Sequence, residues 1–196
     1  MDVKQQKLGF LDTETTGLDP NKAEVIEVCV LVLYGGCEGC VPEVFHILIK
    51  PERLEDAHPK ALEINGYAKH PERWRDAPTM TEVGDQIADV LRGCILVGHN
   101  VGFDERMLNA NLKRSGIERS VPHHKIDTVT LAREHLTPLG LKRVSMDAIR
   151  EFLGWSTEGA HTAKKDAEDV LRLYRLLYRM TWWKRLLLRF HLWRAR

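Results

Sequence analysis

No acidic residue follows Asp169, and no apolar run extends beyond residues 28–33. Crossing a bilayer takes about 20 apolar residues, so that run excludes a membrane span. Met1-Asp2-Val3-Lys4 is followed by polar residues, without the basic-then-apolar pattern of a secretory leader, and a cytoplasmic location is the expectation. Cysteine is scarce at four residues, too few and too scattered to suggest a disulfide framework. Cys37 and Cys40 form a lone Cys-x2-Cys. A zinc site needs about four ligands, and a redox motif needs a strand–motif–helix context. Neither is present, so the pair reads as two free thiols in a hairpin loop. There is no internal repeat and no linker long enough to divide the body.

What remains is an ordinary globular composition, 43% hydrophobic and 29% charged over 196 residues, enough for one domain with a proper core. The net charge of +1 conceals an asymmetry. Residues 179–196 carry six Lys or Arg and no acid, while the rest has 23 basic against 28 acidic residues. The expected division is a body over 1–180 and a basic, aromatic, helical tail over 181–196.

Periodicity predicts strands at residues 8–14, 24–33 and 44–49, consecutive and antiparallel, then short buried strands at 95–97 and near Ile126. Helices are expected at 60–64, after the capping box Thr79/Glu82, and at 104–113, 128–135, 145–153 and 163–178. Strands first, then strands mixed with helices, give an α/β fold with helices packed on a five-stranded mixed sheet.

Three segments carry candidate chemistry. In Phe10-Leu11-Asp12-Thr13-Glu14, strand alternation points Asp12 and Glu14 to one face, where two carboxylates repel unless a cation sits between them. Taken alone, the segment reads equally well as a strand end in solvent. A haloacid-dehalogenase-type phosphatase would have Asp where this chain has Glu14. In Gly98-His99-Asn100-Val101-Gly102-Phe103-Asp104, Asp104 heads the stripe Met107, Leu108, Asn111, Leu112; alone it would be a helix-start aspartate. In His161-Thr162-Ala163-Lys164-Lys165-Asp166, Asp166 lines up with Val170, Leu173, Tyr174 and Leu177, and His161 lies in the preceding loop. Alone, His161 would be a surface histidine.

Together and in this order, Asp-x-Glu, a helix-initial Asp and His-x4-Asp closely resemble the DEDD (DnaQ-like) exonuclease superfamily in its histidine-bearing branch. That superfamily includes the proofreading subunits of bacterial replicative polymerases and ribonuclease T. The resemblance runs from about Leu8 to Tyr178 and implies a ribonuclease H-like fold. It also implies metal-dependent 3′→5′ exonuclease activity releasing nucleoside monophosphates, with DNA favoured over RNA. Asp12, Glu14, Asp104 and Asp166 would hold two Mg²⁺ or Mn²⁺ ions, with His161 as general base. Thr15, Thr16, Gly17, Leu18, Ile64, Asn65, Asn100 and Phe103 would contact the terminal nucleotides. One departure is Ile64-Asn65-Gly66, where many relatives have an apolar residue followed by His-Gly.

The implied partners are single-stranded nucleic acid or 3′ ends, with a homodimer or a polymerase as a protein partner. A non-catalytic nucleic-acid- or polymerase-binding module of the same fold is the alternative. In the tail, Trp182, Trp183, Leu186, Leu187, Phe190 and Trp193 share one helical arc. The expectation is that this arc packs on the body; nucleic acid, a partner groove or a membrane surface are the other readings.

Overall fold

The structure is a computed structural model describing residues 6–35, 40–178 and 180–194; for residues 182, 184 and 191–194 only the backbone is described. Five strands form one sheet in the order β3-β2-β1-β4-β5. These are β1 (Lys7–Thr15), β2 (Val25–Tyr34), β3 (Glu43–Leu48), β4 (Cys94–Gly98) and β5 (Lys125–Asp127). The first three pair antiparallel, as the pattern predicts, while β4 pairs parallel with β1 and β5 parallel with β4, completing a mixed sheet. β2 is buried on both faces, which explains its unbroken apolar run.

Among the described residues the α-helices are α1 (Pro59–Ile64), α2 (Met80–Leu91), α3 (Gly102–Arg114), α4 (Thr128–Leu136), α5 (Met146–Leu153), α6 (Ala163–Leu177) and α7 (Trp182–Arg194). α2 and α3 cover one sheet face around Leu11, Val28, Val30 and Leu96. α6 covers the other around Leu8, Phe10, Cys29 and Leu31. The capping box opens α2, with the Glu82 carboxylate accepting from the Thr79 N–H at 2.7 Å. α3 is tied to the start of β2 by buried Asn111, whose side chain accepts from Val25 N–H at 3.1 Å and donates to Ala23 O at 3.3 Å.

One expectation changes. Cys40 is disulfide-bonded rather than a free thiol, because spacing alone does not report oxidation state; Cys37 lies outside the described residues. The tail is helical, and of its expected apolar arc the side chains of Trp182 and Trp193 lie outside the described residues. Trp183, Leu186, Leu187 and Phe190 are exposed, while Leu188 joins the apolar cluster of α4, α5 and α6. Arg185 donates to His135 Nδ1 at 2.8 Å from the same side of α7.

Candidate active site

β1 and β4 run parallel, and the site forms beyond their carboxyl ends, where open α/β sheets place ligands. Leu8 and Phe10 are buried beneath α6, and alternation carries the same face forward to Asp12 and Glu14. The first turn of α6 supplies Asp166, above a Thr162 hydroxyl that caps the helix by accepting from Lys165 N–H. Asp12, Glu14 and Asp166 each offer an oxygen, all within 4.8 Å of one another.

Asp104 is placed differently. It enters from α3 and is 4% exposed, its Oδ1 accepting from the Thr13 N–H at 3.0 Å and the Thr13 hydroxyl at 2.7 Å. It is not one of the three converging carboxylates, although its charge acts on Asp12. Gly98 permits this approach: a Cβ there would stand 2.7 Å from Val101 Cβ and 3.1 Å from Leu11 O.

Burial and mutual repulsion disfavour the charged carboxylates. Asp12 is raised well above the ordinary carboxyl range, first by desolvation and then by Asp104, Asp166 and Glu14. Glu14 is pushed up to about 8 by desolvation and then Asp166, and Asp104 to about 7, chiefly by desolvation. Asp166 is raised by desolvation against the opposing pull of Arg150. Convergent carboxylate oxygens that repel one another suit hard divalent cations, so the residues present fit such ions. A raised carboxyl pKa means that the folded chain holds protons the unfolded chain has released. The contribution of these carboxylates to stability without metal is therefore fully present below the ordinary value near 4 and is lost as pH rises through about 8. We expect the melting temperature in chelator to drop between pH 5 and 8 and Mg²⁺ to restore it. A flat profile in chelator would contradict this electrostatic picture.

Sequence reasoning missed Arg150, on α5, whose side chain is fully buried. It donates to Asp169 at 2.8 Å, Asp147 at 2.8 Å and Asp166 Oδ1 at 2.5 Å, and Lys165 holds the other Asp169 oxygen at 2.6 Å. Arg150 thereby fixes the orientation of Asp166. Removing one member of a buried ion pair costs about 3 kcal/mol or more. Disturbing a residue that orients a metal ligand lowers metal affinity roughly 10–100-fold. Arg150→Met should show both losses in urea unfolding and Mg²⁺ titration; unchanged values would leave Arg150 without this role.

Glu27 was also missed. It pairs with Glu14 in the β1–β2 register and is 1% exposed. Its Oε1 lies 2.8 Å from His46 Nε2, and its buried Oε2 has no hydrogen-bond partner among the described residues. Its charge raises both Asp12 and Glu14. The available signal was a lone acid inside an otherwise apolar strand.

His161 lies beside the cluster with a left-handed backbone, φ +63°. That conformation is uncommon outside glycine. It turns the His161 N–H toward Asp166 Oδ1 at 3.3 Å. The half-exposed imidazole sits 3.8 Å from Asp147 Oδ2, and its charge acts on Asp166.

The remaining candidates divide into a framework and exposed groups. Thr15 bonds Gly17 O through its hydroxyl at 2.8 Å, and Thr16 exchanges hydrogen bonds with Glu24 at 2.8 Å. Gly17 is buried against Ala23 and His58. Asn65 is buried, donating to Thr15 O at 3.0 Å and accepting from Tyr67 N–H at 3.1 Å. It therefore locks α1 to the 15–18 turn. Leu18 and Ile64, on these two joined segments, are left 83% and 48% exposed. Asn100 is also left-handed, φ +66°, with its N–H held by Asp127 at 3.0 Å. Phe103 is partly buried against the α2/α3 core. Half-buried His99 ties this turn to Thr128 at 3.0 Å and to Val144 O at 2.7 Å.

A family model described as exonuclease (RNase_T) matches residues 10–174. The chain is 33% identical to a PolC-type DNA polymerase III of Thermotoga maritima over 165 residues, covering 84% of this chain and 11% of the relative. It is 33% identical over 177 residues to the DNA polymerase III subunit epsilon of Escherichia coli, covering 84% of this chain and 68% of that subunit. It thus spans only a small part of the PolC-type polymerases. Among solved structures, Escherichia coli exonuclease I in complex with a dT13 oligonucleotide superposes with a TM-score of 0.70 at 18% identity. That match covers 89% of this chain and 41% of the other. This likeness establishes the ribonuclease H-like fold.

Proposed function

We propose, from the premise that this chain belongs to the exonuclease family matched over residues 10–174, that it removes nucleotides one at a time from 3′ ends of nucleic acid. DNA is the favoured substrate, in keeping with relatives named as DNA polymerase III components and a structural neighbour bound to oligo-dT. The observation that carries the reading is the convergence of Asp12, Glu14 and Asp166 with the loop histidine His161 beside them.

Asp12, Glu14 and Asp166 would hold divalent cations, Mg²⁺ or Mn²⁺, with Asp104 beside them. When bound, a pair of such ions supplies an activated water and neutralises charge on the phosphoryl and leaving oxygens. His161 stands at the solvent side of the carboxylates and takes the proton from the attacking water as general base. The left-handed backbone at residue 161 turns its N–H toward Asp166, while Arg150 keeps Asp166 aimed into the site. The framework of Thr15, Thr16, Gly17 and Asn65 presents backbone groups and exposed Leu18 to the terminal nucleotide, with Ile64 beside the last bases and Asn100 and Phe103 flanking the scissile end.

Labelled DNA and RNA oligonucleotides of matched sequence test this. Mononucleotides should appear with Mg²⁺, faster from DNA, and disappear on chelation. Binding without product would favour a non-catalytic module of the same fold instead.

A further inference from the structure

We propose that α7 is a membrane-surface anchor that lays Trp183, Leu186, Leu187 and Phe190 into the interfacial layer of an anionic lipid bilayer. These four side chains are 60%, 53%, 70% and 51% exposed. Their i, i+3, i+4, i+7 spacing places them on one face of the helix. At 3.6 residues per turn, that face lies opposite Leu188 and Arg185, whose side chains meet the body. The contacts of Leu188 and Arg185 therefore leave these four side chains on the exposed side of the helix.

Charge selects the occupant. Residues 179–196 carry six basic and no acidic residues, while the rest of the chain is net acidic. An anionic surface would draw the tail in and hold the body off. The composition of the stripe favours lipid over nucleic acid, because bases stack on aromatic faces and two of the four exposed residues are leucines. Trp, Phe and Leu on one side with Arg and Lys around them is the pattern of a helix lying in an interface. At 13 residues the helix is about 20 Å long, short of the roughly 30 Å hydrocarbon layer, so it would lie on a bilayer rather than cross it. Among the described residues no helix is long and apolar enough to cross a membrane.

Flotation of the full chain with vesicles tests this independently of turnover. The chain should float with vesicles of phosphatidylcholine and phosphatidylglycerol in equal parts, and not with phosphatidylcholine alone. Raising salt to about 1 M should weaken the association. The double variant Leu186→Glu/Leu187→Glu should partition at least about tenfold less. Its melting temperature and its rate on short oligonucleotides without vesicles should match the parent. Arg189→Glu should reduce the preference for phosphatidylglycerol while leaving the stripe in place. No flotation with anionic vesicles, or equal flotation of the double variant, would overturn the proposal. Retention on oligo-dT that depends on the stripe, without vesicle binding, would overturn it in favour of nucleic acid. A shift in native mass lost in the double variant, again without vesicle binding, would overturn it in favour of a second copy.

Discussion

Asp12→Asn and Asp166→Asn should each leave a folded protein whose rate of nucleotide release is lower by on the order of 10²–10³-fold, as when a group stabilising transition-state charge is lost. Both carboxylates converge with Glu14, and each substitution removes a charge that would hold the proposed cations. The two variants should differ in stability. Asp12 is opposed by its acidic neighbours, so Asp12→Asn should raise the chelator-treated melting temperature near pH 8. Asp166 is held by Arg150 and the His161 N–H, so Asp166→Asn gives up a buried ion pair and gains less or loses. Near-parental turnover in either variant at saturating Mg²⁺ would remove that residue from the site.

His161→Ala should lower kcat by roughly 10²–10⁴-fold, the usual contribution of a general base, with metal affinity little changed. Partial recovery at raised pH is expected, since hydroxide then substitutes for the missing base. The backbone N–H of residue 161 also serves Asp166, and alanine adopts the left-handed region less readily. His161→Asn is the control for that contact, because asparagine tolerates a positive φ. If both variants lose kcat alike while binding Mg²⁺ normally, the imidazole is the group that matters. Unaltered kcat would place the base elsewhere.

The sheet was legible because apolar positions mark its first three strands as consecutive segments along the chain. Asp12, Glu14 and Asp166 were legible for the same reason: each interrupts a stripe that otherwise faces the core. Arg150 was not, since a basic residue on a short amphipathic helix ordinarily points to water. Its burial follows from Asp147, Asp166 and Asp169 converging from two helices, which no local pattern shows. Asn65 read as a departure from a nucleotide contact, and the structure uses its amide to hold the 15–18 turn. Trp74, in the segment before α2 where no strand or helix was expected, is buried and donates to Ile26 O at 2.7 Å, a long-range contact that no local pattern shows. The tail arc was legible only as a face. Its apolar residues marked a face correctly, but periodicity cannot say whether an apolar face meets the body or something else.

End polarity is the most direct test of the proposed activity. A single-stranded DNA with a 5′ label and a free 3′-OH should shorten stepwise with Mg²⁺, giving a ladder of labelled fragments and unlabelled mononucleotides. A 3′-phosphate on the same strand should slow digestion sharply, a 5′ block should change little, and a circular strand should survive. Immediate release of the 5′ label as mononucleotide, or cutting of the circle at the linear rate, would contradict a 3′→5′ exonuclease built on these carboxylates.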